Sequence, residues 1–213
     1  MRTAEFVSPK HPDKLCDRIS DAILDEYMSG DKNSRCAIET CGGHAKIFIT
    51  GEVTSKTDVS DDRIREIVYN LTGIDDVIIH IHEQSTYIAQ GVDVGGAGDQ
   101  GIMIGYACRE NEEMIPHEYY LARKLNKHIY EQFSFDGKTQ ITLNGYEVSV
   151  VASFQNAPKE KLEILVREFI EQYPQYKIVA LHCNPAGDWE KGSFQADAGV
   201  TGRKLATDNY GPR

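Results

Sequence analysis

The chain has 213 residues, 40% of them apolar and 26% charged, with a formal net charge of −10. That is core enough for one large domain or two small ones, and the acidic balance argues against broad attraction to nucleic acid or an anionic membrane. No apolar run approaches the ~20 residues of a membrane span, the opening MRTAEFVSPK has no apolar signal core, and five cysteines without a C-x-x-C pair read as free thiols. The expected setting is therefore a reducing cytoplasm, with no nucleic-acid or membrane partner.

Residues 12–28 carry Leu15, Ile19, Ala22, Ile23 and Tyr27 near i, i+4, i+7 spacing, which predicts an amphipathic helix. Pro12 suits its first position and Gly30 lies just past its end. Strands follow at about 35–41 and 45–54, joined at Gly42-Gly43, then a helix at 60–71 with Ser60 as N-cap and an apolar strand at 77–82. In that last strand His80 and His82 share one face. Paired histidines bind zinc, but no third ligand is evident nearby, and a polar strand face is the simpler reading. QSTYIAQGVDV, 84–94, reads as loop and 102–107 as strand, and the polar run 109–113 marks a boundary.

The order then recurs. A helix fits 117–132, strands fit 138–143 and 146–154 around Asn144-Gly145, and a helix and strand fit 159–172 and 177–183. Two matching halves, offset by roughly 100 residues, predict an α+β duplication in which each sheet, antiparallel or mixed, is covered by helices on one face.

Two phosphate-loop patterns fail on context. Gly96-x-Gly98-x-x-Gly101 has dinucleotide-fingerprint spacing, but a Rossmann loop needs a strand before it and a helix opening at it. Here a loop precedes and a strand-like run follows, so the glycines let backbone approach a ligand or another strand. Asp136-Gly137-Lys138-Thr139 ends like a P-loop, yet position 132 is Gln and the following residues read as strand. Lys138 keeps the capacity to meet phosphate as a point charge.

The blocks FVSPKHPDKLCDRISDAILD, AIET, TGEVTS, EQSTYIAQGVD, GAGDQGIMIGYA, DGKTQIT, HCNPAG and DAGVTGRK occur in this order from residue 6 to 204. In content and spacing they closely resemble S-adenosylmethionine synthetase (methionine adenosyltransferase). The resemblance implies that fold, and a reaction in which the sulfur of L-methionine attacks C5′ of ATP and displaces tripolyphosphate, which is then hydrolysed to pyrophosphate and phosphate. A departing polyanion calls for metal ions and fixed cations where its charge grows. The resemblance implies Mg2+ and K+ as cofactors, His11 near the leaving oxygen, Asp13 as a magnesium ligand and Glu39 as the potassium carboxylate. It implies Glu52, Gln84 and Asp99 around methionine, and Asp136 and Lys138 on the nucleotide. It also implies Trp189 stacked on adenine, Asp197 as an active-site acid, and Arg203 and Lys204 on the polyphosphate. Family enzymes build each site between two subunits.

Several positions depart from the family pattern. Pro9-Lys10 stands where Glu-Gly is usual and adds a positive charge that is expected to face phosphate; Tyr87, Asn156 and Asp188 also differ. The family's further segment, with two more lysines and a second magnesium aspartate, is not found in this sequence. The expected organisation is an N-terminal domain at 1–108, a central domain at 109–190, and at 191–213 the start of a third, whose strand at 197–211 would expose its edges. That favours a split enzyme, completed as a homo- or hetero-oligomer by a chain supplying the remaining third. The rivals are a piece of a full-length enzyme and a non-catalytic nucleotide-binding or regulatory subunit.

Overall fold

In the computed structural model, which describes residues 1–211, two four-stranded sheets each carry a pair of helices on one face. The elements are β1 (Arg2–Val7), α1 (Pro12–Gly30), β2 (Arg35–Gly43), β3 (Lys46–Thr54), α2 (Asp61–Thr72), β4 (Val77–Glu83) and α3 (Thr86–Asp93). After a long irregular stretch come α4 (His117–Gln132), β5 (Gly137–Asn144), β6 (Glu147–Phe154), α5 (Lys159–Glu171) and β7 (Lys177–Cys183). A 3-10 turn at Ser193–Gln195, β8 (Ala198–Val200) and α6 (Leu205–Asp208) complete the described chain. The last two residues of the expected 191–213 segment lie outside the described residues.

Both sheets are mixed. The first runs β4-β3-β2-β8 and the second β1-β5-β6-β7; β3–β4 and β6–β7 are parallel and the other pairs antiparallel. In β2 and β3 alternate residues point inward, so Ile38, Ile47 and Ile49 meet Leu15, Ile19 and Ile23 of α1 and Ile64 and Val68 of α2. The second half repeats the design with Ile141, Val148, Val150 and Phe154 under Leu121, Leu125 and Ile129 of α4 and Leu162 and Val166 of α5. Ser60 caps α2 through a bond from the Arg63 N–H, and Gly73 ends it in the left-handed conformation.

The sheets do not follow chain order, and here the structure corrects the sequence reading. β1, unforeseen, pairs along its whole length with β5 of the second sheet. Its burial does not alternate cleanly: Ala4 and Val7 are the buried positions, three apart. Conversely, β8 pairs with β2 of the first sheet, so the expected free strand at 197–211 is three residues long and one of its edges is covered. The chain after it forms α6, held by the Tyr119 hydroxyl on the Thr207 carbonyl and by Lys14 on Asp208.

Two further local readings change. Residues 86–93 are helical, because Ser85 accepts the Tyr87 N–H and starts a turn that the glycine in the run had obscured. Residues 102–107 form no strand; Ile102 and Met103 are each 91% exposed, with no neighbouring strand to pair with among the described residues. The glycines at 95–101 thus follow a helix and open none, as the rejection of a Rossmann loop requires.

Gly51 lies opposite Ile38 with φ +154°, where an added methyl would collide with the Ala37 carbonyl. Gly51→Ala is expected to destabilise the first sheet by about 1–3 kcal/mol from backbone strain alone, with further loss from the clash. Urea denaturation checks this, and wild-type stability in the variant contradicts it.

Candidate functional site

The site is built on the first turn of α1. His11 is its N-cap, with ring Nδ1 accepting the Asp13 N–H at 3.2 Å. Because Nδ1 is an acceptor, the neutral ring carries its proton on Nε2. Burial first, then the nearby charge of Lys204, lower the His11 pKa to about 4 against the pull of Asp13, and Lys138 adds to the lowering. His11 is therefore an uncharged donor at neutral pH.

Asp13 is 1% exposed and is surrounded by donors. Its Oδ1 accepts from the Val200 N–H at 3.0 Å and from Arg203 Nε and Nη2 at 3.1 and 3.0 Å, while Oδ2 lies 3.2 Å from Lys204 Nζ. Burial on its own would raise its pKa; the Val200 N–H, Lys204 and Arg203 outweigh it and hold the carboxyl below its ordinary range. Close approach of β8 makes these bonds possible. Gly199 lies against the Pro12 backbone, and any side chain there would strike it.

The second sheet brings the other half of this cluster. Asp136 precedes β5 and accepts the Ser193 N–H at 2.8 Å. Burial raises its pKa; the Ser193 and Gly137 N–H groups oppose this, Asp197 adds to it, and Lys138 lowers it. Lys138 pairs in register with Ser153, whose hydroxyl accepts the Trp189 indole N–H at 3.1 Å. Lys138 also reaches Glu5 at 3.6 Å. Asp197 is exposed and accepts the Ala198 N–H. His11, Asp13, Asp136, Lys138, Asp197, Arg203 and Lys204 thus share one electrostatic neighbourhood, with Trp189 beside Lys138.

The remaining expected residues lie elsewhere. Glu39 and Glu52 alternate with the inward Ile38 and Ile49, so they occupy the face of the first sheet opposite α1. Gln84 follows β4, accepting from the Thr54 hydroxyl at 3.4 Å. Asp99 sits in the exposed stretch after α3, its carboxylate on the Gln100 N–H. A single chain does not gather these four with Asp13.

Lys10 faces the end of α2. Its Nζ turns to the Leu71 carbonyl at 3.5 Å, at the end of α2, and it lines a cavity of about 480 Å³ with Thr72, Phe135, Asp136 and Phe194. A cation there suits the helix C-terminus, where α2 has no basic residue of its own.

The sequence reading also missed the residues that anchor the basic turn. Asp17 accepts the Gly202 N–H at 2.8 Å, and Ser20 bonds both Thr40 and Thr201. The signal was present: Asp13, Asp17 and Ser20 stand at i, i+4 and i+7, a polar stripe on a helix whose apolar stripe drew the attention. Among the described residues no group of three or more His, Cys, Asp or Glu side chains is gathered for a metal, and no helix is long and apolar enough to cross a membrane.

Comparison with known proteins bears on this geometry. Residues 1–92 match the family model of the S-adenosylmethionine synthetase N-terminal domain, and residues 94–189 that of the central domain. S-adenosylmethionine synthases of Parvibaculum lavamentivorans and Zymomonas mobilis are 37% and 39% identical over 98% of this chain. A solved structure described as an unusual S-adenosylmethionine synthetase from Campylobacter jejuni superposes with a TM-score of 0.85 at 29% identity, over 99% of this chain. The chain spans 64% of the length of those two synthases and 65% of the solved chain.

The partly buried neutral imidazole of His11 has a pH signature. Below the ordinary value of 6.5 the unfolded chain takes up a proton that folded His11 refuses until about 4. Stability from this group is present above 6.5 and lost as pH falls toward 4. His11→Asn keeps an N-cap acceptor and removes the titration, so its stability should fall less steeply across that window. Urea denaturation over the pH range tests this, and an unchanged slope would show that His11 does not titrate as described.

Proposed function

Because the chain belongs to the S-adenosylmethionine synthetase family, we propose that it takes part in making S-adenosylmethionine from ATP and L-methionine. The observation that carries the reading is the convergence of His11, Asp13, Arg203 and Lys204 at the start of α1. Neutral His11, its proton on Nε2, donates to the oxygen leaving C5′ and stabilises its charge as the thioether attacks. Arg203, Lys204 and Lys138 hold the polyphosphate. The first two exchange their bonds with Asp13 for phosphate oxygens when the nucleotide enters. Asp136 and Trp189 hold the nucleoside end, and Asp197 is a second acid at the rim. The sulfonium product needs no covalent help from the protein, so positioning and charge complementarity supply the catalysis.

The donor set fits magnesium as one part of a shell. Magnesium binds through one or two carboxylates with phosphate oxygens and water, and Asp13 offers one carboxylate beside two phosphate-binding cations. Bound there, it would neutralise charge on the departing polyphosphate. Glu39 would serve potassium on the outer sheet face; Glu52 and Asp99 would attract the ammonium of methionine, with Gln84 beside it. These four lie apart from Asp13 in one chain, which supports a site shared between two subunits. In this reading the division at 1–108, 109–190 and 191–213 is functional, with strands exchanged across it, and a companion chain supplies the part of the relatives that this chain does not span. Tripolyphosphate hydrolysis follows in the same site.

The test mixes the purified chain with ATP, methionine, magnesium and potassium, with and without the product of any neighbouring reading frame that matches the rest of the relatives. S-adenosylmethionine formed in the mixture supports the proposal. Nucleotide binding without product in either case favours a regulatory subunit. Lys204→Ala is expected to lower kcat by about 10²–10³-fold, the range for losing one charge-stabilising donor.

A further inference from the structure

The two sheets obey one rule of exchange. Each holds three consecutive strands of its own half, β2-β3-β4 or β5-β6-β7, and one strand from elsewhere. β1 stands just before α1, which packs on the first sheet, yet it pairs with β5, the first strand of the second half. β8 stands just before α6 and pairs with β2, the first strand of the first half. Both pairings are antiparallel, and both put the visiting strand at a sheet edge. Residues 102–107 hold the corresponding place before α4, which packs on the second sheet, and they have no host. Ile102, Met103, Ile104 and Tyr106 are all exposed, and the stretch joins no strand among the described residues. In an extended chain Ile102, Ile104 and Tyr106 would fall on one face and Met103 and Ala107 on the other, so neither face suits water.

We propose that residues 102–107 are the docking segment for a companion chain carrying a third unit of the same design, and that they add to its sheet as an edge strand, antiparallel to that unit's first strand. The inference rests on the reading that such a chain supplies the part of the relatives that this one does not span. Cyclic order carries it. The strand before α1 goes to the second half, and the strand before α6, where a third unit would begin, goes to the first half. The strand before α4 is then the one left for the third. In such an addition main-chain bonds along the free edge supply affinity, and burial of the apolar side chains adds to it. Anchored there, the segment also fixes the far end of the glycine-rich loop that carries Asp99.

The probe is the part of the Zymomonas mobilis synthase that this chain does not span, produced as a separate polypeptide. Hydrogen exchange is followed on the intact chain with and without it. The expected result is a complex in which the amides of 102–107, fast-exchanging in the chain alone, are protected by about a hundredfold or more. Ile102→Asp and Ile104→Asp should each weaken the complex by about tenfold or more, the loss of one buried isoleucine. Circular dichroism of the chain alone should not change, because both side chains are exposed in it. Ile164→Asp, which alters an exposed apolar residue of α5, should leave the complex as strong as before. A complex in which 102–107 stays fast-exchanging, or one indifferent to both isoleucine variants, overturns the docking inference and leaves the companion-chain reading in place. No complex at all overturns that reading, and the inference with it.

Discussion

A single buried carboxylate holds the architecture and the chemistry together. Asp13 is taken out of water at the start of a helix, a position that is costly unless each oxygen is met by donors. The donors come from far along the chain: a backbone N–H on β8 and the two cations just after it. Asp13 therefore fastens the return of the chain onto the first sheet. Asp17 and Ser20, one and two turns on, repeat the attachment at Gly202 and Thr201. The groups proposed to grip phosphate are thus presented by a turn with three anchors along one helix, which limits their freedom before any ligand arrives.

The same arrangement divides the proposed site. The sheet that supports α1 on one face carries Glu39 and Glu52 on the other, away from Asp13. A strand alternates strictly, and two functions placed on adjacent residues are sent to opposite faces. The outer face also carries exposed Phe48 and Ile78 and the exposed Cys41, an apolar patch beside its charged groups. Under the family reading, that face belongs with a neighbouring subunit.

Most regular elements were legible from the sequence because their apolar periods were clean, as in α1 and in the hairpin of β5 and β6. What failed was information carried by tertiary partners. β1 lacks strict alternation and is a strand because β5 lies beside it, whereas 102–107 has the apolar content of a strand and no neighbouring strand among the described residues. The site followed the same division. Motif resemblance pointed to Asp13, Arg203 and Lys204, and the structure brings them together. The direction of Lys10 was not legible, because the end of α2 that it meets lies about sixty residues further along the chain. Asp17 went unnoticed because a polar residue on an exposed-looking stripe announces no partner 185 residues away.

The crossed membership of β1 and β8 also bears on how the chain is made. β1 is made well before its mate at residues 138–143, and the first sheet waits for residues 198–200 to cover β2. At synthesis rates of roughly 5–20 residues per second, β1 stays unmatched for on the order of ten seconds. Each sheet therefore contains a strand from a distant part of the chain, and the unpaired edge of β1 is a liability until β5 is made.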